Sequence, residues 1–314
     1  MTGKNATERL SADAQGIARV AAILAQDGLV AVPTETVYGL AALADSAEAG
    51  AEIYRAKGRP DFNPLIVHVA ELEQAEALAQ FDDRARKLAV HFWPGPLTLV
   101  LPLRQGAAVA PAVTAGLPTI ALRMPAHPVM RSVLRELGKP LAAPSANRSG
   151  AVSPTTADHV LATLDGRIAA VLDGGECAAG LESTIAALRP DGSWQLLRHG
   201  PVTEAQLSEI LGEPAAVKTQ SVEAPGQLAQ HYSPGKPVRL DAVAAVEGEF
   251  LIGFGEVAGH CTLSASGDLA EAAARLYACL HEAGASRAPR IAVAPVPDDG
   301  IGAAINDRLR RAAA

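Results

Sequence analysis

Lys57 and Arg59 stand two residues apart, with Gly58 between them and Pro60 behind. Glycine lets the backbone turn out of a helix, and proline stiffens the next stretch of chain. Two cations on such a loop can converge on one anion. The same pair also fits an ordinary solvated helix C-terminus, where cations favour the helix dipole. More polar groups fall at the ends of apolar runs or just after them: Thr34, Thr36, Asn63, His68, Thr119, Arg123, Ser145, Asn147, Ser153, Ser183, Thr184 and Arg198. In open α/β sheets ligands bind beyond strand ends, so these groups can share one cavity.

The set is rich in cations, hydroxyls and amides and poor in carboxylates, which suits a ligand with several anionic oxygens. Arg123 closes an apolar strand and wants an anion, from an internal acid or from a ligand. No acidic residue adjoins it in sequence, which favours the ligand. Ser145-Ala146-Asn147 places a hydroxyl and an amide two residues apart, as a phosphate site or a plain turn requires. His68 on an apolar strand fits a core histidine as well as a catalytic one. No Walker phosphate loop, Ser-His-Asp order or His-Glu-x-x-His pair occurs, so any ATP is held without a standard phosphate loop.

The elements that must position these groups alternate. Residues 11–27 read as an amphipathic helix with Ser11 as N-cap, and 29–32 as a buried strand ending at Pro33. Thr34 to Leu40 reads as a polar turn, and a helix from Ser46 ends at the Lys57 loop. Strands are expected at 65–69, 97–101, 119–123, 168–172, 183–188 and 194–198, the last two forming a hairpin about Pro190-Asp191-Gly192. Helices are expected at 71–80, 82–92, about 127–137, 155–164 and 203–211. Helices interleaved with strands plus one hairpin imply an α/β domain with a mixed sheet.

From Gly212 to Pro237 the periodicity fails, yet Gln227, His231 and Tyr232 lie there, and a loop this long is often functional. Beyond it, strands near 238–240, 249–254 and 290–294 and helices at 268–283 and from Gly302 suggest a small Rossmann-like unit. Its Gly253-Phe254-Gly255 lacks the rest of a dinucleotide fingerprint.

The chain has 314 residues and a formal net charge of -7. That balance argues against a protein that coats nucleic acid or a membrane surface, while leaving room for a local basic pocket. Cys177, Cys261 and Cys279 fit neither a zinc site nor a disulfide framework, so a reducing cytoplasm is expected. No apolar run reaches the length of a membrane span.

Five motifs stand in order: Pro33-Thr34-Glu35-Thr36-Val37-Tyr38-Gly39-Leu40, Lys57-Gly58-Arg59-Pro60, Asn63-Pro64-Leu65, Pro144-Ser145-Ala146-Asn147 and Glu182-Ser183-Thr184. Together they closely resemble the threonylcarbamoyl-AMP synthases of the YrdC-like family. His231-Tyr232-Ser233-Pro234 followed by an α/β unit is similar to the long two-domain form. The resemblance implies a YrdC-like twisted mixed sheet over 1–212 with helices on its faces. It implies a linker over 213–237 that covers the site, and a Rossmann-like α/β domain over 238–314.

It also implies a reaction. L-threonine, bicarbonate and ATP with Mg2+ give threonylcarbamoyl-AMP and pyrophosphate. A tRNA threonylcarbamoyl transferase complex takes the product, with a weak RNA contact as a further expectation. By the family pattern Lys57 and Arg59 face the phosphates as catalytic groups, with no protein ligand for a metal. Arg59, Asn63, Thr119, Ser145, Ser153 and Arg198 hold the nucleotide. Asn147 completes the Ser-x-Asn motif, and Tyr232 folds over the site. Thr36, His68, Arg123, the Ala143 backbone and Ser183 hold threonine.

Two other readings stand beside this one. A tRNA or double-stranded RNA binding module without chemistry could use the same cations, but the acidic charge and scarce aromatics count against it. A relative that handles another carbamoyl adenylate in hydrogenase maturation shares the fold. The chain carries none of the extra acylphosphatase-like or zinc-finger segments of those proteins.

Overall fold

The computed structural model describes residues 6–215, 223–226 and 231–314. Gln227 of the aperiodic stretch lies outside them. The first region runs β1 (Glu8–Ser11), α1 (Ala14–Leu24), β2 (Val30–Val32), β3 (Gly39–Leu43), α2 (Ala47–Lys57), β4 (Ile66–His68), α3 (Leu72–Leu78), α4 (Asp83–Phe92) and β5 (Leu97–Pro102). It continues α5 (Pro111–Thr114), β6 (Thr119–Arg123), α6 (Pro128–Leu137), β7 (Leu141–Ala142), α7 (Ala157–Leu164), β8 (Ala170–Asp173), β9 (Thr184–Leu188), β10 (Trp194–Arg198) and α8 (Glu204–Leu211). The second region holds β11 (Val238–Arg239), β12 (Glu249–Gly253), β13 (Cys261–Thr262), α9 (Leu269–Ala285), β14 (Arg290–Val293) and α10 (Gly302–Ala313).

Among the described residues ten strands form one sheet, in the order β1-β8-β2-β3-β7-β4-β6-β5-β9-β10. β4 and β6 run parallel, while β5 and β7 flank them antiparallel. The sheet is therefore mixed, as expected. The register pairs His68 with Arg123 and Ile66 with Ala121. Alternation then puts Thr119, Ala121 and Arg123 on one face of β6. Both faces are covered, which is why β2 to β6 read as continuous apolar runs. On one side α1 and α6 pack over Val30, Val32, Leu141 and Leu172.

Helix starts follow local side-chain chemistry. Ser46 caps α2 through its hydroxyl and the Ala49 N–H at 3.2 Å. Thr203 and Gln206 form a capping box on α8. Three expectations shift. Asp13, not Ser11, caps α1, because Ser11 belongs to the edge strand β1, parallel to β8. The polar turn after Pro33 gives way to β3 at Gly39, whose small residues Gly-Leu-Ala-Ala-Leu do not alternate because both faces are buried. The short elements α5 and β13 carry too few residues for a periodic signal.

The second region is a four-stranded parallel sheet in the order β11-β14-β12-β13. Its core is not its own alone. Val37, Val152 and Leu181 from the first region and Tyr232 from the linker cluster with Phe250, Ile252, Leu276, Leu280 and Ile305. Among the described residues no helix is long and apolar enough to cross a membrane.

Gly200 shows how tightly the two hairpin ends meet. A Cβ there would stand 2.4 Å from the Thr184 nitrogen and 2.6 Å from the Glu182 carbonyl oxygen. Gly200→Ala is expected to cost about 1–3 kcal/mol through forced backbone movement. Thermal unfolding measures this, and an unchanged melting temperature would show that the strands can part freely.

Candidate active site

α2 ends where its sequence demands. Gly58 takes a left-handed φ of 61° and donates its N–H back to the last turn. The Lys57 side chain does not project from this end, as the spacing suggested. Its Nζ donates to the carbonyls of Ser145 at 2.5 Å and Asn147 at 2.6 Å, and the residue is 2 % exposed. The Ser149 N–H returns a bond to the Lys57 carbonyl at 2.8 Å. The ammonium is a strut under the Ser-x-Asn turn. Burial first, and Arg59 second, hold its pKa well below the usual lysine value.

Arg59 does reach the cleft. Its Nε donates to the Asn63 carbonyl at 3.1 Å and its Nη2 to the Pro64 carbonyl at 2.9 Å. Burial brings its pKa down to about 10, which leaves it charged at neutral pH.

Arg123 and His68 lie side by side on β6 and β4. Arg123 Nη1 donates to the Thr36 hydroxyl at 2.8 Å and Nε to the Gly95 carbonyl at 3.1 Å. Thr34 fixes that corner, accepting the Thr36 and Val37 N–H groups and sharing a 2.8 Å bond with the Thr36 hydroxyl. Arg123 also has the internal acid that sequence proximity failed to show: Glu35 Oε1 stands 2.5 Å from its Nη2. Contact with Arg123 outweighs burial and lowers the Glu35 pKa, so this carboxylate is ionised. The guanidinium still has N–H groups to spare, since it carries five. His68 is 2 % exposed with a buried Nδ1 that has no partner among the described residues. Burial, aided by Arg123, pushes it down to about 3, so the ring is neutral.

At the other end Arg198 donates through Nε to the Ser183 carbonyl at 3.0 Å and through Nη2 to the Ser183 hydroxyl at 3.1 Å. Its Nη1 meets the Pro225 carbonyl of the linker at 3.4 Å. Tyr232 is 1 % exposed and holds a φ of 65°, a left-handed backbone rare for tyrosine. Glu182, unassigned by the sequence, lies between these groups. Its Oε1 accepts the Ser153 hydroxyl at 2.5 Å, and its Oε2 accepts Tyr277 at 2.7 Å and Arg308 Nε at 3.1 Å.

A cleft of about 510 Å³, mouth included, joins the two ends. It brings together Thr36, Arg59, His68, Arg123, Ala143, Ser145, Ser183, Arg198 and Tyr232 from the expected set. Lys57, Asn63, Asn147 and Ser153 stand behind its wall rather than on it. Asn63 and Asn147 are buried, and neither Oδ1 has a partner among the described residues. Thr119 is apart: it opens β6 on the same face as Arg123, roughly 13 Å along the strand. Ile66 of the cleft lining belongs to a buried apolar cluster with Val100, Ala121 and Ile185, on which Ala224 of the linker packs.

Charge is unevenly spent around this cleft. Arg123 has Glu35 and Glu182 has Arg308. Lys57, Arg59 and Arg198 are buried cations without an ion pair among the described residues, held by carbonyls and one hydroxyl. Burying charge in this way is costly unless an anion arrives. The residues do not fit a protein-held metal. Both Glu182 oxygens are engaged, and no cluster of three His, Cys, Asp or Glu occurs among the described residues.

The residues missed in the sequence differ in how they were hidden. Glu35 and Glu182 sit inside quoted motifs beside hydroxyl residues that drew attention instead. His231 adjoins Tyr232, edge-on to its ring at 4.1 Å. Arg308 and Tyr277 lie far along the chain and give no local signal.

Fold and site together define an α/β protein with a cationic, anion-accepting cleft on the face of a mixed sheet. The chain belongs to the Sua5/YciO/YrdC family, in its long form with a second C-terminal unit. The family model described as telomere recombination matches residues 22–200, and that of the threonylcarbamoyl-AMP synthase C-terminal domain matches 202–314. A threonylcarbamoyl-AMP synthase of Bacillus subtilis is 40% identical, over 98% of this chain and 95% of its own. One of Pyrococcus abyssi is 40% identical over 94% and 93%. The crystal structure of P. abyssi Sua5 complexed with L-threonine superposes with a TM-score of 0.88 at 34% identity, covering 98% of this chain and 97% of the other.

Two outcomes test this electrostatic picture. Lys57→Met leaves the Ser145 and Asn147 carbonyls buried and unpaired, at about 1–3 kcal/mol each. Its melting temperature without ligand should therefore fall; a rise would mark Lys57 as a strained ligand group and not a strut. The second concerns pH. His68 and His231, both pushed down to about 3 with burial the leading cause, refuse protons that the unfolded chain accepts. Their contribution is complete above about pH 6.5 and is lost as pH falls towards 3, at about 1.4 kcal/mol per unit each. Melting temperatures between pH 7 and 5 should drop accordingly, and a flat profile would contradict the burial of these rings.

Proposed function

We infer that this protein is an L-threonylcarbamoyladenylate synthase, making threonylcarbamoyl-AMP and pyrophosphate from L-threonine, bicarbonate and ATP for tRNA modification. The observation that carries the reading is the trio of buried cations without an ion pair among the described residues, Lys57, Arg59 and Arg198, beside a corner built from Arg123, Thr36 and His68. A triphosphate supplies the missing negative charge. An amino acid carboxylate suits the spare N–H groups of Arg123, with Glu35 next to it to attract the ammonium.

Threonine binds with its carboxylate on Arg123 and its side chain near Thr36, His68, Ser183 and the Ala143 backbone. His68 is neutral and offers an acceptor. The threonine ammonium first gives up a proton to solvent. The free amine nitrogen then bonds to the bicarbonate carbon, a C–O bond of bicarbonate breaks and water leaves with the second amine proton, giving a carbamate. A carbamate oxygen then attacks the α-phosphorus, and the bond to pyrophosphate breaks. Arg59 and Arg198 stabilise the charge that builds on the phosphates, while Lys57 holds the Ser145–Asn147 turn that frames them. The nucleoside end extends past Ile66 of the cleft lining towards Thr119. Mg2+ would come with ATP as its counter-ion and would supply further charge neutralisation, with no cluster of acidic side chains among the described residues to hold it. Holding three substrates together removes a large entropic barrier, and Tyr232 keeps water from the carbamate and the mixed anhydride. The product passes to a transferase acting on tRNA in the cytoplasm.

Incubation with ATP, threonine and bicarbonate, followed by mass detection, should reveal the adenylate and equimolar pyrophosphate. Pyrophosphate release that ignores threonine would refute the reading. Arg123→Ala should raise the threonine KM by about 100-fold, the worth of one charge-assisted contact, with far less effect on ATP. Equal effects on both substrates would remove Arg123 from the carboxylate.

A further inference from the structure

Arg308 lies on the last helix, α10, yet it is wholly buried against the first region. Its Nε donates to Glu182 Oε2 at 3.1 Å, its Nη1 to Asp307 Oδ2 at 2.8 Å and its Nη2 to the His199 carbonyl at 2.8 Å. Its guanidinium carbon stands 5.4 Å from the centre of the Tyr232 ring. From α9, Tyr277 donates to the same Glu182 oxygen at 2.7 Å and stacks on Tyr232 at 5.6 Å. Each first-region or linker partner borders the cleft. Glu182 and Tyr232 line it, and His199 follows Arg198, which lines it too.

The charges make this more than a fastening between units. Glu182 is a buried carboxylate within Coulombic reach of two arginines, Arg308 and Arg198. Among the described residues only Arg308 forms an ion pair with it. Arg198 is left to carbonyls and the Ser183 hydroxyl. Remove Arg308, and a buried carboxylate without a full counter-charge turns to the next cation. Arg198 would then be neutralised from inside the protein and lost to a phosphate.

We propose that Arg308 is a positioning residue that reaches the cleft from the C-terminal unit: it holds Glu182 away from Arg198 and seats Tyr232, keeping Arg198 free for an anionic ligand. This rests on the reading of the cleft as a nucleotide site. The C-terminal unit thereby contributes to substrate binding through a charge, in addition to apolar packing. A plain structural ion pair makes a different prediction, since its loss lowers stability without preferring one substrate.

The test compares Arg308→Met, Glu182→Gln and the double variant. Binding of a non-hydrolysable ATP analogue and of L-threonine is measured by calorimetry, apart from turnover. Arg308→Met should weaken the analogue by about tenfold or more, with threonine changed by less than about twofold. Adding Glu182→Gln should restore analogue binding to within about threefold of wild type, because the stray carboxylate is gone. Equal weakening of both ligands, or a double variant no tighter than Arg308→Met, overturns the proposal. Where Arg308→Met does not fold, Arg308→Gln removes the charge in its place. Arg308→Lys, which keeps a counter-charge for Glu182, should bind the analogue within about threefold of wild type, and a loss of about tenfold in it overturns the proposal. Hydrogen exchange at the Ser233 amide, bonded to Gly150 at 2.8 Å, reports the seating of Tyr232 without any ligand. It should quicken in Arg308→Met, and an unchanged rate counts against the proposal. A wild-type chain that binds the analogue but forms no adenylate would sink the activity and leave this inference standing.

Discussion

An ammonium pressed against two backbone carbonyls sets the terms of this site. Lys57 reaches from the end of α2 to Ser145 and Asn147, tying a helix terminus to the turn that follows β7. Such an arrangement fixes the turn but leaves the ammonium without an ion pair among the described residues, with Glu182 acting on it only at longer range. The molecule tolerates that because Arg59 and Arg198 create the same need in the same space. Arg59 and Arg198 on the cleft wall and Lys57 behind it hold like charges close together, which disfavours each of them. That concentration of positive charge is built into the folded state, in a chain that carries no Walker-type phosphate loop.

Much of this could be read along the chain, for local reasons. Gly58 and Pro60 marked the end of α2, and Ser46 its start. The apolar runs around Ile66 and Leu122 marked two strands carrying His68 and Arg123, whose pairing only the structure shows. What stayed hidden depended on distance. Arg123 had no acid beside it in sequence, yet Glu35 lies against it across the sheet. Lys57 looked exposed at a helix end because its burial comes from a turn 88 residues later. Arg308 sits among polar residues on a helix that reads as amphipathic, and only tertiary packing shows its buried face. Periodicity reports which face is inside, not which charge meets which.

The two units are not independent beads on a linker. Val37, Val152 and Leu181 complete the core of the second unit, and His159 of α7 stacks on His281 of α9 at 3.9 Å. His281 also lies 3.1 Å from the Ser153 carbonyl, whose hydroxyl serves Glu182. The interface is apolar at its centre and carries its polar groups in one connected network beside the cleft. Networks of this kind are costly when partly satisfied, so they lock two bodies into one relative position. Tyr232 sits where that network, the linker and the cleft meet.

The depth of the cations has a consequence for ionic strength. Mobile ions screen charges at a surface within about 10 Å in ordinary buffer, and they do so much less for charges inside a protein. Lys57, Arg59 and Arg198 are all under a tenth exposed. Added salt therefore competes poorly for them, while the overall charge of -7 repels stray polyanions such as nucleic acid at long range. A ligand must enter the cleft to meet Arg59 and Arg198, so their charge, unlike that of a basic surface, is offered only inside it.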